Sequence, residues 1–371
     1  MEISIIVPHH SNRTLLEFCL ATLKTTVPAD VEILVVANNV DGAKTDIHLD
    51  LERFRLLRFF ENLGYGAAIN AGAAEARGRL LIFCDDDTAF TPGWLAALVR
   101  FHRDTPTAGT VSAKLIAPTT GRIVDYGIAF TEYNAPHPFM DSEPGYPLLR
   151  RPRHVQAACS AVMLIERDLF EQVGGFVERP HAYYNDIDLC LRVAAAGRES
   201  WVIPNAVAFH RSSFHGTNSA PYKGTSLKAD QKAWFMARHG AKLRVDMDRY
   251  FHESFEHLRA NEEPSGEYIL VDLSSVVDRK WHQELIAGHV SVRDTYEYNM
   301  YTRDSVSISL IEHLGPNLAA LRVPFVYFVD RFVSLIDNAG WANVRDVTWD
   351  MVVDRNANVR LLRDVLVERS R

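Results

Sequence analysis

The stretch Arg79-Leu80-Leu81-Ile82-Phe83-Cys84-Asp85-Asp86-Asp87 begins as an apolar strand and stops at three consecutive carboxylates. Outward from it, short strand-forming runs at 3–7, 31–36 and 56–60 alternate with longer helical patterns at 14–25 and 67–76. That alternation predicts an α/β fold with a mostly parallel central sheet and helices on both faces. Val7-Pro8 is expected to end the first strand, because Pro has no N–H to continue a ladder. Sheets of this kind take ligands at the carboxyl ends of their strands, so residues 85–87 stand where function is expected.

At about 150 residues per domain, the 371 residues predict two domains. Hydrophobic residues make up 47% and charged residues 23%, the balance of a folded globular protein rather than a disordered one. Lys and Arg number 40 against 47 Asp and Glu, a net charge of −7, so no basic field is present to drive nucleic-acid binding and no nucleic-acid partner is expected. Cys19, Cys84, Cys159 and Cys190 form no CxxC pair, which argues against a zinc knuckle or disulfide framework and for a reducing cytoplasm. The start, Met1-Glu2-Ile3-Ser4, lacks the basic and apolar regions of a signal peptide. The most apolar later run, 321–336, carries Arg322, Asp330 and Arg331, so no spanning helix is expected.

Beyond the carboxylates the regularity loosens, with apolar runs at 109–116, 122–130 and 157–165. Residues 186–196 read as a helix, because Ile187, Cys190, Leu191 and Ala194 fall at the spacing of one buried face. The polar, breaker-rich Ala260-Asn261-Glu262-Glu263-Pro264-Ser265-Gly266 predicts a boundary between a domain over 1–260 and an accessory α/β or α+β region over 267–371. In that region 268–273 and 323–329 read as strands and 304–314 and 358–367 as helices, suited to acceptor binding, oligomerisation or docking.

Along an extended chain alternate residues share a side, so Asp85 and Asp87 are expected to converge while Asp86 faces away. Adjacent carboxylates repel unless a cation relieves them, and hard cations such as Mg²⁺ or Mn²⁺ take oxygen ligands. A solvated acidic turn is the plain alternative. Upstream, Asn62-Leu63-Gly64-Tyr65-Gly66-Ala67-Ala68-Ile69-Asn70-Ala71-Gly72 combines small residues that let the backbone approach a ligand with amides that can bond to it.

Taken together, the strand ending at Pro8, the run from Asn62 to Gly72 and the Asp85-Asp86-Asp87 cluster resemble the donor half of family 2 glycosyltransferases of the GT-A fold. The resemblance continues through Gly174-Gly175-Phe176, Tyr184-Asn185-Asp186-Ile187-Asp188, Pro204 and His210. It implies an inverting enzyme that moves a sugar from a nucleotide-diphosphate donor, a UDP- or dTDP-sugar, to a hydroxyl of a saccharide or lipid-linked acceptor. It assigns Mg²⁺ or Mn²⁺ to Asp85 and Asp87 with His210 as a further ligand, and the donor to Pro8, His9, Asn38, Asn62, Gly64, Asn70, Asp85 and Asp86. Asp186 becomes the general base. The acid that precedes the base in the family is Asn185 here, and Asp188 reads as the acid of a capping pattern begun by Asn185. A nucleotidyltransferase and a catalytically silent carbohydrate-binding protein of the same fold are the competing readings. Arg150-Arg151-Pro152-Arg153-His154 suits either solvent or the phosphates of a lipid-linked acceptor or an anionic leaflet, so the expected location is the cytoplasm with peripheral contact at the inner membrane face.

Overall fold

The computed structural model describes residues 2–38, 50, 52–130, 135, 137–140, 142–179, 184–211, 225–246, 249–250 and 253, and the strand backbones at 268–272, 325–329, 351–353 and 359–361. The chain divides into two compact units, Met1–Ile128 with Phe139–Leu243, and Ala129–Pro138 with Arg244–Arg371. Among the described residues no helix is long and apolar enough to cross a membrane.

The first unit is built on a ten-stranded mixed sheet. β1 (Ile3–His9), β2 (Glu32–Asn38), β3 (Arg55–Phe59) and β4 (Leu80–Cys84) are parallel neighbours in the order β3-β2-β1-β4. β9 (Val162–Glu166) runs antiparallel between β4 and β6 (Ala108–Ile116), and β10 (Glu199–His210) lies parallel to β6. Three short strands, β5 (Thr88–Phe90), β7 (Ile123–Asp125) and β8 (Arg153–Val155), pair antiparallel with β10 or β6. β1 to β4, β6 and β10 thus share one direction, as the alternation predicts. The reversed β9 in the middle is not announced by any sequence period, because an apolar run reads the same in either direction.

Helices cover both faces. α1 (Arg13–Thr26) buries Leu16, Cys19, Leu20 and Leu23 in one cluster with Ile5 and Val7 of β1, joined by Trp94, Leu95 and Leu98 of α3 (Trp94–Asp104). Ile6 points the other way, as period-2 geometry requires, and meets α2 (Tyr65–Glu75). The approach is close enough that a Cβ on Gly72 would lie 2.6 Å from Ile6 and 2.8 Å from Val36, so only glycine fits. Arg167, opening α4 (Arg167–Gln172), satisfies the end of α2 by donating to the carbonyls of Ala73 and Ala76, both at 2.8 Å.

One strand expectation needs correction. β1 continues past Val7, with Pro8 opposite Val36 and His9 opposite Ala37. Pro is tolerated because the ladder with β4 has already ended at Ile6, so on that side no N–H is required. Of 122–130 only 123–125 forms a strand, and that strand lies on the flank of β6.

In the second unit β11 (Tyr268–Asp272), β12 (Phe325–Val329), β13 (Met351–Val353) and β14 (Val359–Leu361) form a sheet in the order β12-β11-β13-β14, parallel except for β14. The helix expected from 358 is replaced at 359–361 by β14, where Val359 and Leu361 pair with β13. The helix expected at 304–314 and the boundary at 260–266 lie outside the described residues. Within this unit Asp246 and Phe130 are joined backbone to backbone at 3.0 Å, and Phe130 N donates to Asp246 Oδ1 at 2.8 Å.

Candidate active site

β4 ends at Cys84 and the chain turns at once. Asp85 N donates to Ala161 O at 2.9 Å, and Thr88 closes the turn by donating to Asp85 O from N at 3.2 Å and from Oγ1 at 2.7 Å. The carboxylates therefore sit on a turn and not along an extended strand. Their separation follows the expectation all the same. Asp85 Oδ2 and Asp87 Oδ1 lie 3.6 and 3.1 Å from His210 Nε2, while Asp86 turns aside and accepts from His9 Nδ1 at 2.5 Å. His210 is the last residue of β10, and its register opposite Thr88 of β5 delivers it to the turn.

The ligand atoms of Asp85, Asp87 and His210 lie within 4.8 Å of one another. Loss of solvation pushes the Asp85 carboxyl up to about 7, helped by the charges of Asp87 and Asp86 and opposed by His210 and by the Tyr65 hydroxyl. Burial pulls the His210 imidazole down, but the hydrogen bond and charge of Asp87, then Asp85, outweigh it and its pKa is raised. Such a cluster is short of positive charge. Two carboxylates and an imidazole form a donor set that fits Mn²⁺ or Mg²⁺, so Asp85, Asp87 and His210 are the residues that would hold the metal.

A second group gathers where β2 meets α2. Asn38 Oδ1 accepts from Leu63 N at 2.8 Å, and Asn38 Nδ2 donates to Asn62 Oδ1 at 3.1 Å and to Gly64 O at 3.3 Å. Gly64, at φ +82°, precedes the first turn of α2, a conformation that favours glycine. Asn70 is not brought to this group: its amide clamps the later chain, exchanging bonds at 2.9 Å with Phe176 N and O and reaching Glu178 at 3.1 Å. His9 is buried with Nε2 unpartnered, and Pro8 lies beside it on β1.

α5 (Asn185–Ala195) carries the third group. Tyr184 precedes it at φ +65°, among the described residues the one non-glycine with positive φ, and its ring stacks on Phe235 of α6 (Thr225–His239) at 4.7 Å. Asp186, half-buried, sits on the first turn. The capping expectation for Asn185 and Asp188 does not hold: Tyr184 is the cap residue, and both amide atoms of Asn185 are buried without a hydrogen-bond partner. Asp188 is fully buried and pairs with Arg192 at 2.7 Å, Arg238 at 2.8 Å and His239 at 2.7 Å.

Sequence reasoning missed Tyr65, Ser160, Arg238 and His239. Tyr65 stands inside the quoted motif, yet nothing in the spacing says where its hydroxyl points. The two residues of α6 contact Asp188 from about fifty positions away, a pairing that only the fold creates.

Residues 4–174 match the family model described as glycosyl transferase family 2. Similar proteins include uncharacterized protein y4gI of Sinorhizobium fredii (31% identical, over 62% of this chain and 26% of that protein) and O-antigen biosynthesis protein RfbC of Myxococcus xanthus (32%, over 53% and 16%). N-acetylglucosaminyl-diphospho-decaprenol L-rhamnosyltransferase of Mycobacterium tuberculosis is 28% identical over 60% of this chain and 78% of its own. The chain thus spans only about a quarter of y4gI and a sixth of RfbC. Among solved structures, GalNAc-T7 with UDP, GalNAc and Mn²⁺ aligns with a TM-score of 0.46 at 18% identity, over 57% of this chain and 44% of that one. Residues 4–174, a little under half of the chain, are thus similar to glycosyl transferase family 2.

Proposed function

We propose that the domain is an inverting glycosyltransferase that moves a sugar from a nucleotide diphosphate, with a UDP- or dTDP-sugar as donor, to a hydroxyl of a saccharide or lipid-linked acceptor. The observation that carries this reading is the convergence of Asp85, Asp87 and His210 at the carboxyl edge of the parallel strands, where α/β sheets bind ligands. The rhamnosyltransferase relative, named for a lipid-linked diphospho-sugar acceptor, favours that acceptor class. Asp85, Asp87 and His210 would hold a divalent cation, which would supply positive charge against the departing diphosphate. Asp86, fixed by His9, and the loop held by Asn38, Asn62 and Gly64 present polar groups to the nucleotide. Asp186 takes the proton of the acceptor hydroxyl as that oxygen attacks the anomeric carbon. The bond from that carbon to the diphosphate breaks on the opposite face, so the configuration inverts without a sugar-enzyme intermediate. Asn70 acts from a distance, by clamping the chain at Phe176.

The test is calorimetric titration of a nucleotide-sugar panel with and without Mn²⁺. A metal-dependent affinity for one donor is the expected result, and no donor bound under either condition would remove the reading. The same function would operate at the cytoplasmic face of a membrane if the acceptor is lipid-linked, and residues 267–371 are proposed as a separate domain that contributes to acceptor binding or oligomerisation.

A further inference from the structure

Asp85 is held from two sides. On one, Oδ2 faces His210 at 3.6 Å; on the other, Oδ1 is bonded to the Tyr65 hydroxyl at 3.1 Å, and that hydroxyl also meets Ser160 Oγ at 3.0 Å. With a cation bound, Asp85 is ionised and can only accept, so the Tyr65 proton goes to Asp85 and the Ser160 hydroxyl donates to the Tyr65 oxygen. A phenol holds its proton at neutral pH, so Tyr65 is the donor in this pair. The ring is fixed as well, edge-on to Phe176 with centroids 5.8 Å apart, and Tyr65 is anchored as the first residue of α2 behind Gly64. Ser160 is anchored next to Ala161, whose carbonyl accepts from Asp85 N at 2.9 Å.

From this geometry we infer that Tyr65 is a positioning residue that reserves one oxygen of Asp85 and leaves the other to a cation. A hydrogen bond on one oxygen draws on its lone pairs and so favours metal ligation through the other oxygen over a two-oxygen mode. Mg²⁺ and Mn²⁺ accept such one-oxygen ligation in compact octahedral shells, whereas Ca²⁺ takes larger, looser shells in which two-oxygen carboxylates are common. Tyr65 therefore selects against Ca²⁺ as well as orienting Asp85. The inference rests on the metal reading proposed above and concerns the free protein, before any donor binds.

The experiment titrates Mn²⁺ and Ca²⁺ separately into wild-type protein, Tyr65→Phe and Ser160→Ala, by calorimetry and by Mn²⁺ paramagnetic resonance, with a thermal melt of each. Tyr65→Phe keeps the ring and loses only the hydroxyl. Outer-sphere partners of this kind are worth about 10- to 100-fold in metal affinity, so Mn²⁺ binding should weaken by that factor while Ca²⁺ binding holds or strengthens. Ser160→Ala should move the ratio in the same direction by less, and it carries the test alone should Tyr65→Phe not fold. A merely structural tyrosine would weaken both ions equally, or neither, and either result overturns the inference. Wild-type protein that binds no Mn²⁺ overturns the metal reading and this assignment together; wild-type binding with an unchanged Mn²⁺ to Ca²⁺ ratio in both variants overturns the role of Tyr65 alone.

Discussion

Asp186 and Asp188 stand two residues apart on one helix and face different chemistry. Asp186 is half-buried on the first turn of α5, while Asp188 is closed off from solvent by Arg192, Arg238 and His239. An acid already paired with two guanidinium groups and an imidazole is poorly placed to accept a proton from an acceptor, so of the two Asp186 is the residue proposed as the base. Asp186→Asn keeps size and hydrogen bonding but cannot take the proton. Turnover should fall about 10²- to 10⁴-fold with donor affinity nearly unchanged, as steady-state kinetics beside donor titration would show. The proposed metal triad yields a complementary expectation. Asp87 Oδ1 is the carboxylate atom nearer His210, and Asp87→Ala should abolish the Mn²⁺-dependent part of nucleotide affinity. Nucleotide binding that still responds fully to Mn²⁺ in that variant would move the metal elsewhere.

At the scale of elements, Asp188 joins two helices. Arg238 and His239 close α6 onto α5 at the carboxylate, and Phe235 stacks under Tyr184, whose left-handed backbone opens α5. Removing one member of a buried ion cluster leaves the others uncompensated, so Asp188→Asn should cost about 3 kcal/mol in urea unfolding. A loss within experimental error would mean that the cluster does not hold α6. What the sequence made legible follows from the same physics. α1 and α5 are read to within a residue or so at each end, because an apolar stripe at 3.6-residue spacing is a local signal. β5, β7 and β8 have three residues each and show no period, and the direction of β9 depends on neighbours distant in sequence. Asp85, Asp87 and His210 were legible through their motif context. The Tyr65 to Asp85 bond and the α6 contacts were not, since side-chain direction and long-range pairing leave no trace in spacing.

Over the whole molecule, the sheet that carries the site is complete by His210, and Asp85, Asp87, Asp186, His210 and Tyr65 all belong to the unit that ends at Leu243. The strands from Tyr268 to Leu361 make a sheet of their own. Asp246 and Phe130 bond to each other within the second unit, so a cut made before Asp246 would leave the buried Phe130 segment without that partner. A cut after Gly266 keeps both residues and falls in the polar stretch that shows the composition of a linker. The chain ending there should therefore be soluble and melt cooperatively, and it should bind the preferred nucleotide sugar with Mn²⁺ as the full chain does. If residues 267–371 contribute to acceptor binding, the shortened protein should keep donor hydrolysis while transfer to the acceptor falls through a raised acceptor KM. An insoluble product, or one without nucleotide binding, would make the C-terminal region part of the catalytic core and set the boundary at 260–266 aside.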